Sequence, residues 1–189
     1  MSKRKIKVLV IGGPTGVGES TITKAVIKAH PNFKRLVTAT TRKPRLNEKN
    51  GIDYYYFTEV QFKDEIKKGN IIEYTYVVKR KVYYGSYKPD LDKKIKKGYD
   101  IIINPDLVGA RYYKEYYNAT TIFIAPESLG DLRKRLLARD PNINKKELEK
   151  RLAGAKYEME KEASFYDYRV INKEGKLEQA IEEVLEIIK

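Results

Sequence analysis

The segment Gly13-Pro14-Thr15-Gly16-Val17-Gly18-Glu19-Ser20 constrains this chain more than any other stretch. Its glycines permit a tight turn whose backbone N–H groups converge, and a helix beginning at its end presents the positive pole of its dipole to the same point. The flanks supply that context. Lys7 to Ile11 is a short apolar run of β type, and from Ser20 to His30 the residues Ile22, Ala25, Val26 and Ala29 recur at helical spacing. Strand, glycine-rich turn and helix in this order predict a phosphate-binding loop, with Ser20 placing a hydroxyl near Mg²⁺. One position breaks the pattern: Glu19 stands where such a loop carries a lysine.

Most of the remaining sequence keeps the same alternation. A helix over about Asp90 to Lys97 stops at Gly98, followed by a strand of buried type over Asp100 to Asn104, a helix over about Leu107 to Tyr116 and a strand over Thr120 to Ala125. Ser128 with Asp131 reads as an acidic capping box opening a helix that runs to about Arg139, before Pro141, and Asn144 with Glu147 reads as a second helix start. A strand over about Tyr168 to Ile171 and an amphipathic helix carrying Leu177, Ala180, Ile181, Val184, Leu185 and Ile188 follow. Only Thr38 to Pro89 changes character, being rich in Tyr, Thr, Arg and turn residues. Strands are expected there around Asp53 to Phe57 and Ile71 to Val77, with a short helix from Val60 to Lys68 ending at Gly69. This region reads as an insertion. The alternation around it predicts an α/β fold with a mainly parallel sheet covered by helices on both faces.

A length of 189 residues suits one domain, and 41% hydrophobic with 34% charged residues suits a globular chain rather than a disordered one. Absence of cysteine removes disulfides and thiolate metal sites, which fits a reducing cytoplasm. His30, beside Pro31, reads as a solvated helix-end residue rather than a catalytic or metal-binding group. The start Met1-Ser2-Lys3-Arg4-Lys5 is basic, but the apolar stretch after it breaks at Gly12-Gly13, short of a membrane span and without a small-residue cleavage site. A cytoplasmic protein without a membrane anchor is expected. The formal charge of +13 favours anionic partners. Its lysines are spread along the chain with no helix-turn-helix or RNA-binding signature, so dedicated nucleic-acid binding is not expected. Nothing in the sequence sets an oligomeric state.

Past the loop, Thr38-Ala39-Thr40-Thr41-Arg42-Lys43-Pro44-Arg45, then Glu48, Gly51, Asp53 and Tyr54, resembles the GMP-binding segment of guanylate kinases. Glu73, Tyr84-Gly85-Ser86, Asp106 with Gly109, Phe123-Ile124-Ala125-Pro126, Arg135, Arg139, Arg151 and Asp167 to Asn172 follow in family order, so the resemblance covers nearly the whole chain. It implies a P-loop kinase fold with a core over about 1–37, 90–128 and 160–189, a GMP-binding insertion over about 38–89 and a helical lid over about 129–159. It also implies transfer of a phosphoryl group from ATP, with Mg²⁺, to GMP or dGMP. Gly13, Thr15, Gly16, Val17, Gly18, Ser20 and Thr21 would bind the ATP phosphates, with Glu19, Arg135, Arg139 and Arg151 at the catalytic positions. Arg42, Arg45, Tyr54 and Tyr84 would hold the GMP phosphate; Glu73, Ser86 and Thr38 would read guanine. Glu48 would orient the arginines, and Asp106 belongs to the same GMP-binding set.

The chemistry of these side chains agrees with those roles. Guanidinium groups grip phosphate oxygens in a bidentate way, and a carboxylate suits guanine, which offers N1–H and the 2-amino group together as donors. The departures fall elsewhere. Glu19 removes a cation and adds a negative charge at the triphosphate, and Asn104 stands where the family usually has the first of two aspartates. Two other readings compete: a non-catalytic guanylate-kinase-like module that recognises a phosphorylated peptide or nucleotide, favoured by Glu19, and a related kinase acting on a small sugar phosphate, which would leave Glu73 and Ser86 without a purpose.

Overall fold

The computed structural model describes residues 6–189; the basic start Met1–Lys5 lies outside the described residues. Nine strands and seven α-helices are described among them. In chain order they are β1 (Val8–Gly12), α1 (Glu19–Ala29), β2 (Phe33–Arg35), β3 (Ala39–Thr40), β4 (Tyr55–Tyr56), α2 (Glu59–Lys67), β5 (Ile71–Val77) and β6 (Val82–Tyr87). There follow α3 (Lys88–Lys96), β7 (Asp100–Ile103), α4 (Leu107–Tyr117), β8 (Thr120–Pro126), α5 (Leu129–Arg139), α6 (Lys145–Tyr157), β9 (Tyr168–Asn172) and α7 (Leu177–Ile187). A π-turn at Glu158–Glu162 continues α6. The class is α/β, with a mainly parallel central sheet, and no helix among the described residues is long and apolar enough to cross a membrane.

The described chain divides into two compact units, one comprising residues 6–8 and 32–119, the other 9–31 and 120–189. In the second unit β1, β8 and β9 run parallel, with Leu9 opposite Thr120 and Ile122 opposite Tyr168. Every residue of β1 and nearly every residue of β8 is buried, as expected of parallel strands covered on both faces. Asp167 ties the start of β9 to β8: its Oδ2 accepts from the Thr121 amide at 2.9 Å and from the Thr121 hydroxyl at 2.8 Å. Helices α5 and α6 pack through Leu132, Leu136, Leu148, Leu152 and Ala155. Their starts carry the expected caps, with Ser128 Oγ accepting from the Asp131 amide and Asn144 Oδ1 from the Glu147 amide.

In the first unit β2 and β7 form a parallel pair, and a four-stranded mixed sheet is ordered β4-β3-β6-β5. The sequence reading anticipated β5 with its observed bounds but gave no strand at β2, β3 or β6. These strands lack a clean period-two pattern: β3 has only two residues, and β6 carries Gly85 and Ser86 at buried positions. The sheet is closed on one face by Phe62 of α2, buried with Ala39 and Ile71, and α2 itself opens with a reciprocal capping box between Thr58 and Gln61.

Asp90, in the first turn of α3 and only 6% exposed, joins three segments of this unit. Its Oδ2 accepts from the Val37 amide at 2.9 Å and pairs with Lys94 one turn on, while its Oδ1 accepts from the Tyr55 hydroxyl at 3.3 Å. Replacing it leaves the buried Val37 amide and the half-buried Lys94 ammonium without this acceptor. Asp90→Ala is therefore expected to lower stability by about 3 kcal/mol, read as a lower midpoint in urea unfolding. An unchanged midpoint would show that water replaces the carboxylate at no cost.

Candidate active site

The phosphate loop connects β1 to α1. Gly18 holds φ at 105°, a left-handed conformation that suits glycine, and caps α1 without any side-chain hydrogen bond, so no capping side chain competes with an anion at the start of the helix. A Cβ at Gly18 would lie 2.8 Å from Asn172 Nδ2, so glycine is required for space as well. That Asn172 nitrogen donates to the Val17 carbonyl at 2.7 Å, pinning the loop to the end of β9, and the Asn172 Oδ1 is buried without a partner. Arg135 reaches the same place, donating through Nη2 to the Asn172 carbonyl at 2.9 Å and through Nε to Glu174 at 3.0 Å. Gly16, Val17, Gly18, Arg135, Asn172 and Leu177 border a cavity of about 250 Å³. Thr15, Ser20 and Thr21 are exposed beside it in sequence.

Glu19 is the first residue of α1 and only partly exposed. Burial, with the nearby Glu158 carboxylate adding to it, pushes its carboxyl up to about 8. Glu158 is itself pushed to about 7 by burial and by Glu162. The sequence reading treated Glu19 as a negative charge. In the free protein at pH 7 it is mostly protonated, because a carboxyl that is desolvated next to a like charge favours its neutral form.

The two other arginines expected at the catalytic positions are placed differently from Arg135. Arg151 is held on α6 by its Nε bond to Glu147 at 2.9 Å, one helical turn back. Arg139 lies exposed in the last turn of α5.

The first unit contains the other half of the expected set. Thr38, Tyr54, Glu73, Tyr84 and Asp106 border a cavity of about 230 Å³ together with Thr75, Val77, Asn104 and Pro105. Glu73, Thr75 and Val77 alternate along β5 and so share a face. Ser86, fully buried on the neighbouring strand β6, donates its hydroxyl proton to Glu73 Oε1 at 2.5 Å. Gly109 leaves room for the carboxyl, since a Cβ there would stand 3.1 Å from Glu73 Oε2, and Asp106 caps α4 by accepting from the Gly109 amide at 3.1 Å.

Beside this cavity Arg42 is fixed as a fork. Its two terminal nitrogens meet the two oxygens of Glu48 at 2.9 and 3.0 Å, and it lies over the Tyr54 ring at 5.3 Å. Glu48 also accepts from the Arg45 amide at 2.7 Å and from the Tyr56 hydroxyl at 2.8 Å. The bond from Arg42, followed by the one from the Arg45 amide, holds Glu48 down at about 2. Glu48 thus orients the Arg42 guanidinium directly but touches only the backbone of Arg45, whose side chain is exposed.

The sequence reading missed Tyr56, Thr75 and the Asn172 side chain's hold on the loop. Period-two spacing from Glu73 could have supplied Thr75; the Tyr56 hydroxyl meets Glu48 eight residues back across an irregular turn that has no periodic pattern, and the Asn172 bond spans 155 residues, so neither leaves a local signal.

Burial, opposed by the Ser86 bond and helped by Asp106, pushes Glu73 from 4.5 to about 7. A carboxyl raised in the folded state favours folding fully below its unfolded value of 4.5 and loses that contribution as pH rises through about 7. Glu73→Gln stays neutral throughout. Its stability relative to the unsubstituted protein should therefore rise by about 2.5 kcal/mol between pH 5 and pH 8, measured by urea unfolding at both pH values. An equal difference at the two pH values would mean that Glu73 ionises in the folded protein as it does in the unfolded one.

Comparison with known proteins gives the geometry a context. The family model described as guanylate kinase matches residues 5–189. A guanylate kinase of Bacteroides thetaiotaomicron is 35% identical over 188 residues, covering 97% of this chain and 88% of that protein. One from Helicobacter pylori is 37% identical over 182 residues, covering 96% and 85%. The crystal structure of guanylate kinase from Anaplasma phagocytophilum superposes with a TM-score of 0.75 at 28% identity, covering 99% of this chain and 86% of that one. With the family model spanning nearly all of the sequence and relatives above 30% identity along its length, the chain belongs to the guanylate kinase family of nucleoside monophosphate kinases.

Proposed function

We propose that this protein transfers the γ-phosphoryl group of ATP to GMP or dGMP, giving GDP or dGDP, with a donor loop weakened by Glu19. The observation that carries this reading is the buried Glu73 carboxyl, bordering a cavity with Thr38, Tyr54 and Tyr84 beside the Arg42 fork. Ionised, that carboxylate accepts from guanine N1–H and the 2-amino group together; adenine presents an acceptor at N1 and is repelled. Arg42 and Arg45 supply charge to a monophosphate, with Tyr54 and Tyr84 as phenolic donors. Asp106 holds the start of α4 against this cavity through its cap.

On the donor side the loop amides and the N-terminus of α1 suit the ATP phosphates. Ser20, exposed at the start of α1, would be the residue that offers a hydroxyl to Mg²⁺. Bound with ATP, that ion neutralises charge across the phosphate oxygens. Arg135 and the more exposed Arg139 supply cations from α5, and Arg151 from α6. Phosphoryl transfer depends on positioning and charge neutralisation, so a missing loop cation lowers the rate without removing the reaction. A second reading, a non-catalytic binding module, is favoured by Glu19 alone; it predicts nucleotide or phosphopeptide binding with no turnover under any substitution at position 19.

Calorimetry should show saturable GMP binding at pH 8 with clear preference over AMP. Glu73→Ala should abolish the preference, and Arg42→Ala should weaken GMP by about tenfold or more, the loss of a charge-assisted pair. Equal affinity for GMP and AMP would overturn the assignment of this cavity.

Position 19 gives the complementary test. At about 4 Å and an effective dielectric of about 20, a lysine and a phosphate charge attract by on the order of 4 kcal/mol before screening. A third of that corresponds to about tenfold in rate. Glu19→Lys should therefore raise GMP-dependent ATP turnover at least about tenfold in a coupled assay at pH 7. Unchanged or lower turnover would mean that the loop of this protein does not work through a cation at this position.

A further inference from the structure

Thr75 lies between two side chains of the acceptor cavity. Along β5 it follows Glu73 by two residues, so the two side chains leave the same face of the strand about 7 Å apart. Across the sheet it stands directly opposite Tyr84 of β6, and opposite residues of an antiparallel pair also share a face. All three border the same cavity, with Ser86 hydrogen-bonded to Glu73 at one end and the Tyr84 ring 6.1 Å from that of Tyr54 at the other. The Thr75 Oγ1 is buried and has no hydrogen-bond partner. Valine would fill the same space, suit the strand equally well and carry no desolvated hydroxyl, so the oxygen has a cost that packing does not explain. One step about χ1 exchanges the positions of the threonine methyl and hydroxyl, and no hydrogen bond of the free protein holds that oxygen in its present rotamer.

We propose that Thr75 is a specificity-determining residue for the sugar of the acceptor nucleotide, its hydroxyl bonding the ribose 2′-hydroxyl and so favouring GMP over dGMP. The inference rests on the reading of this cavity as the acceptor-nucleotide site. With guanine held on Glu73 and Ser86, and the phosphate held by the Tyr54 and Tyr84 phenols beside the Arg42 fork, the sugar that joins them crosses β5 at Thr75. The 2′-carbon is bonded to the carbon that carries the base, so the 2′-hydroxyl is the sugar hydroxyl nearer the Glu73 end, and the 3′-hydroxyl lies toward the phosphate. Two hydroxyls are mutually complementary, each having one proton to give and lone pairs to accept. On binding, Thr75 turns its oxygen into the cavity and gains the partner it lacks in the free protein, while the 2′-hydroxyl recovers the bond it gave up with water. A 2′-deoxyribose presents only C–H at this point and leaves the threonine oxygen unpaired. A site that hydrogen-bonds a substrate hydroxyl rejects the analogue without it, because the buried partner is then stranded.

The test is the ratio of GMP to dGMP affinity, measured by calorimetry for the unsubstituted protein, Thr75→Val and Thr75→Ser. The two nucleotides share base and phosphate, and comparing the ratio between proteins cancels their difference in sugar pucker. In the unsubstituted protein GMP should bind about three- to tenfold more tightly than dGMP, the contribution of one hydrogen bond between neutral groups. Thr75→Val should bring the ratio close to one by weakening GMP alone, with dGMP affinity and the preference for GMP over AMP retained. Thr75→Ser keeps the hydroxyl and should keep the ratio. Guanosine monophosphate lacking only the 3′-hydroxyl should be weakened by Thr75→Val by the same factor as GMP; if it is not, the assignment to the 2′-hydroxyl is overturned. If Thr75→Val reduces the folded fraction, Thr75→Ala removes the same oxygen and must lower the ratio in the same way. Equal affinity for GMP and dGMP in the unsubstituted protein, a ratio unmoved by Thr75→Val, or equal weakening of both nucleotides would each overturn the role of Thr75 while leaving the cavity assignment standing. Absence of a preference for GMP over AMP in the unsubstituted protein would instead overturn the cavity assignment itself.

Discussion

A turn that offers its backbone amides to an anion cannot use them to hold itself together, and that constraint shapes the surroundings of the loop between β1 and α1. Within the turn the Val17 amide donates to the Pro14 carbonyl at 3.1 Å, and the rest of the fixing comes from outside the loop. Val17 is fully buried, its carbonyl is taken by the Asn172 side chain, and Leu136 of α5 packs within 3.0 Å of where a Cβ on Gly16 would stand. Asn172 ends β9, whose register against β8 is secured at its other end by Asp167 and Thr121. The loop geometry therefore rests on a parallel strand drawn from residues some 150 positions away, counted by the Asn172 to Val17 bond as a separation of 155.

The same logic, a polar group made useful by burying it with a chosen partner, recurs at the carboxyls of this strongly basic chain. Asp90 and Glu48 are anions fixed by specific donors, and they behave as structural pins. Glu73 and Glu19 are different. Each is desolvated with another carboxylate nearby and with little cationic compensation, so each titrates near neutrality rather than near 4.5. A site built on such groups has its charge state set by what binds, since a ligand with hydrogen-bond donors draws Glu73 toward the ionised form and a polyphosphate drives Glu19 toward the neutral one. In that light Glu19 is a less severe departure than a fixed negative charge at the triphosphate would be. Protonated, it removes an attraction and contributes little repulsion.

The α/β class, the boundaries of most helices and the residues of β5 were legible in the sequence because each rests on local signals. Ser128 and Asn144 cap where their spacing to Asp131 and Glu147 said they would, and apolar periodicity located β1, β7, β8 and α7 to within about a turn. Thr38, Tyr54, Glu73, Tyr84 and Asp106, widely separated in the sequence, do border one cavity. The mixed sheet was only half legible. Strands β3 and β4 have two residues each; β3 pairs with β6 and β4 with β3, so their place is set by these partners rather than by any propensity of their own.

By itself the sequence determined the family, the position of the phosphate loop and the substitution at Glu19, since these depend on residue identity and spacing. The tertiary structure alone decided charge and partnership: that Glu19 sits near Glu158, that Ser86 spends its proton on Glu73, and that Glu48 grips the side chain of Arg42 but only the backbone of Arg45. Desolvation and hydrogen-bond geometry arise from atoms brought together by long-range folding, and a one-dimensional pattern carries the identity of a titratable group without the environment that fixes its proton.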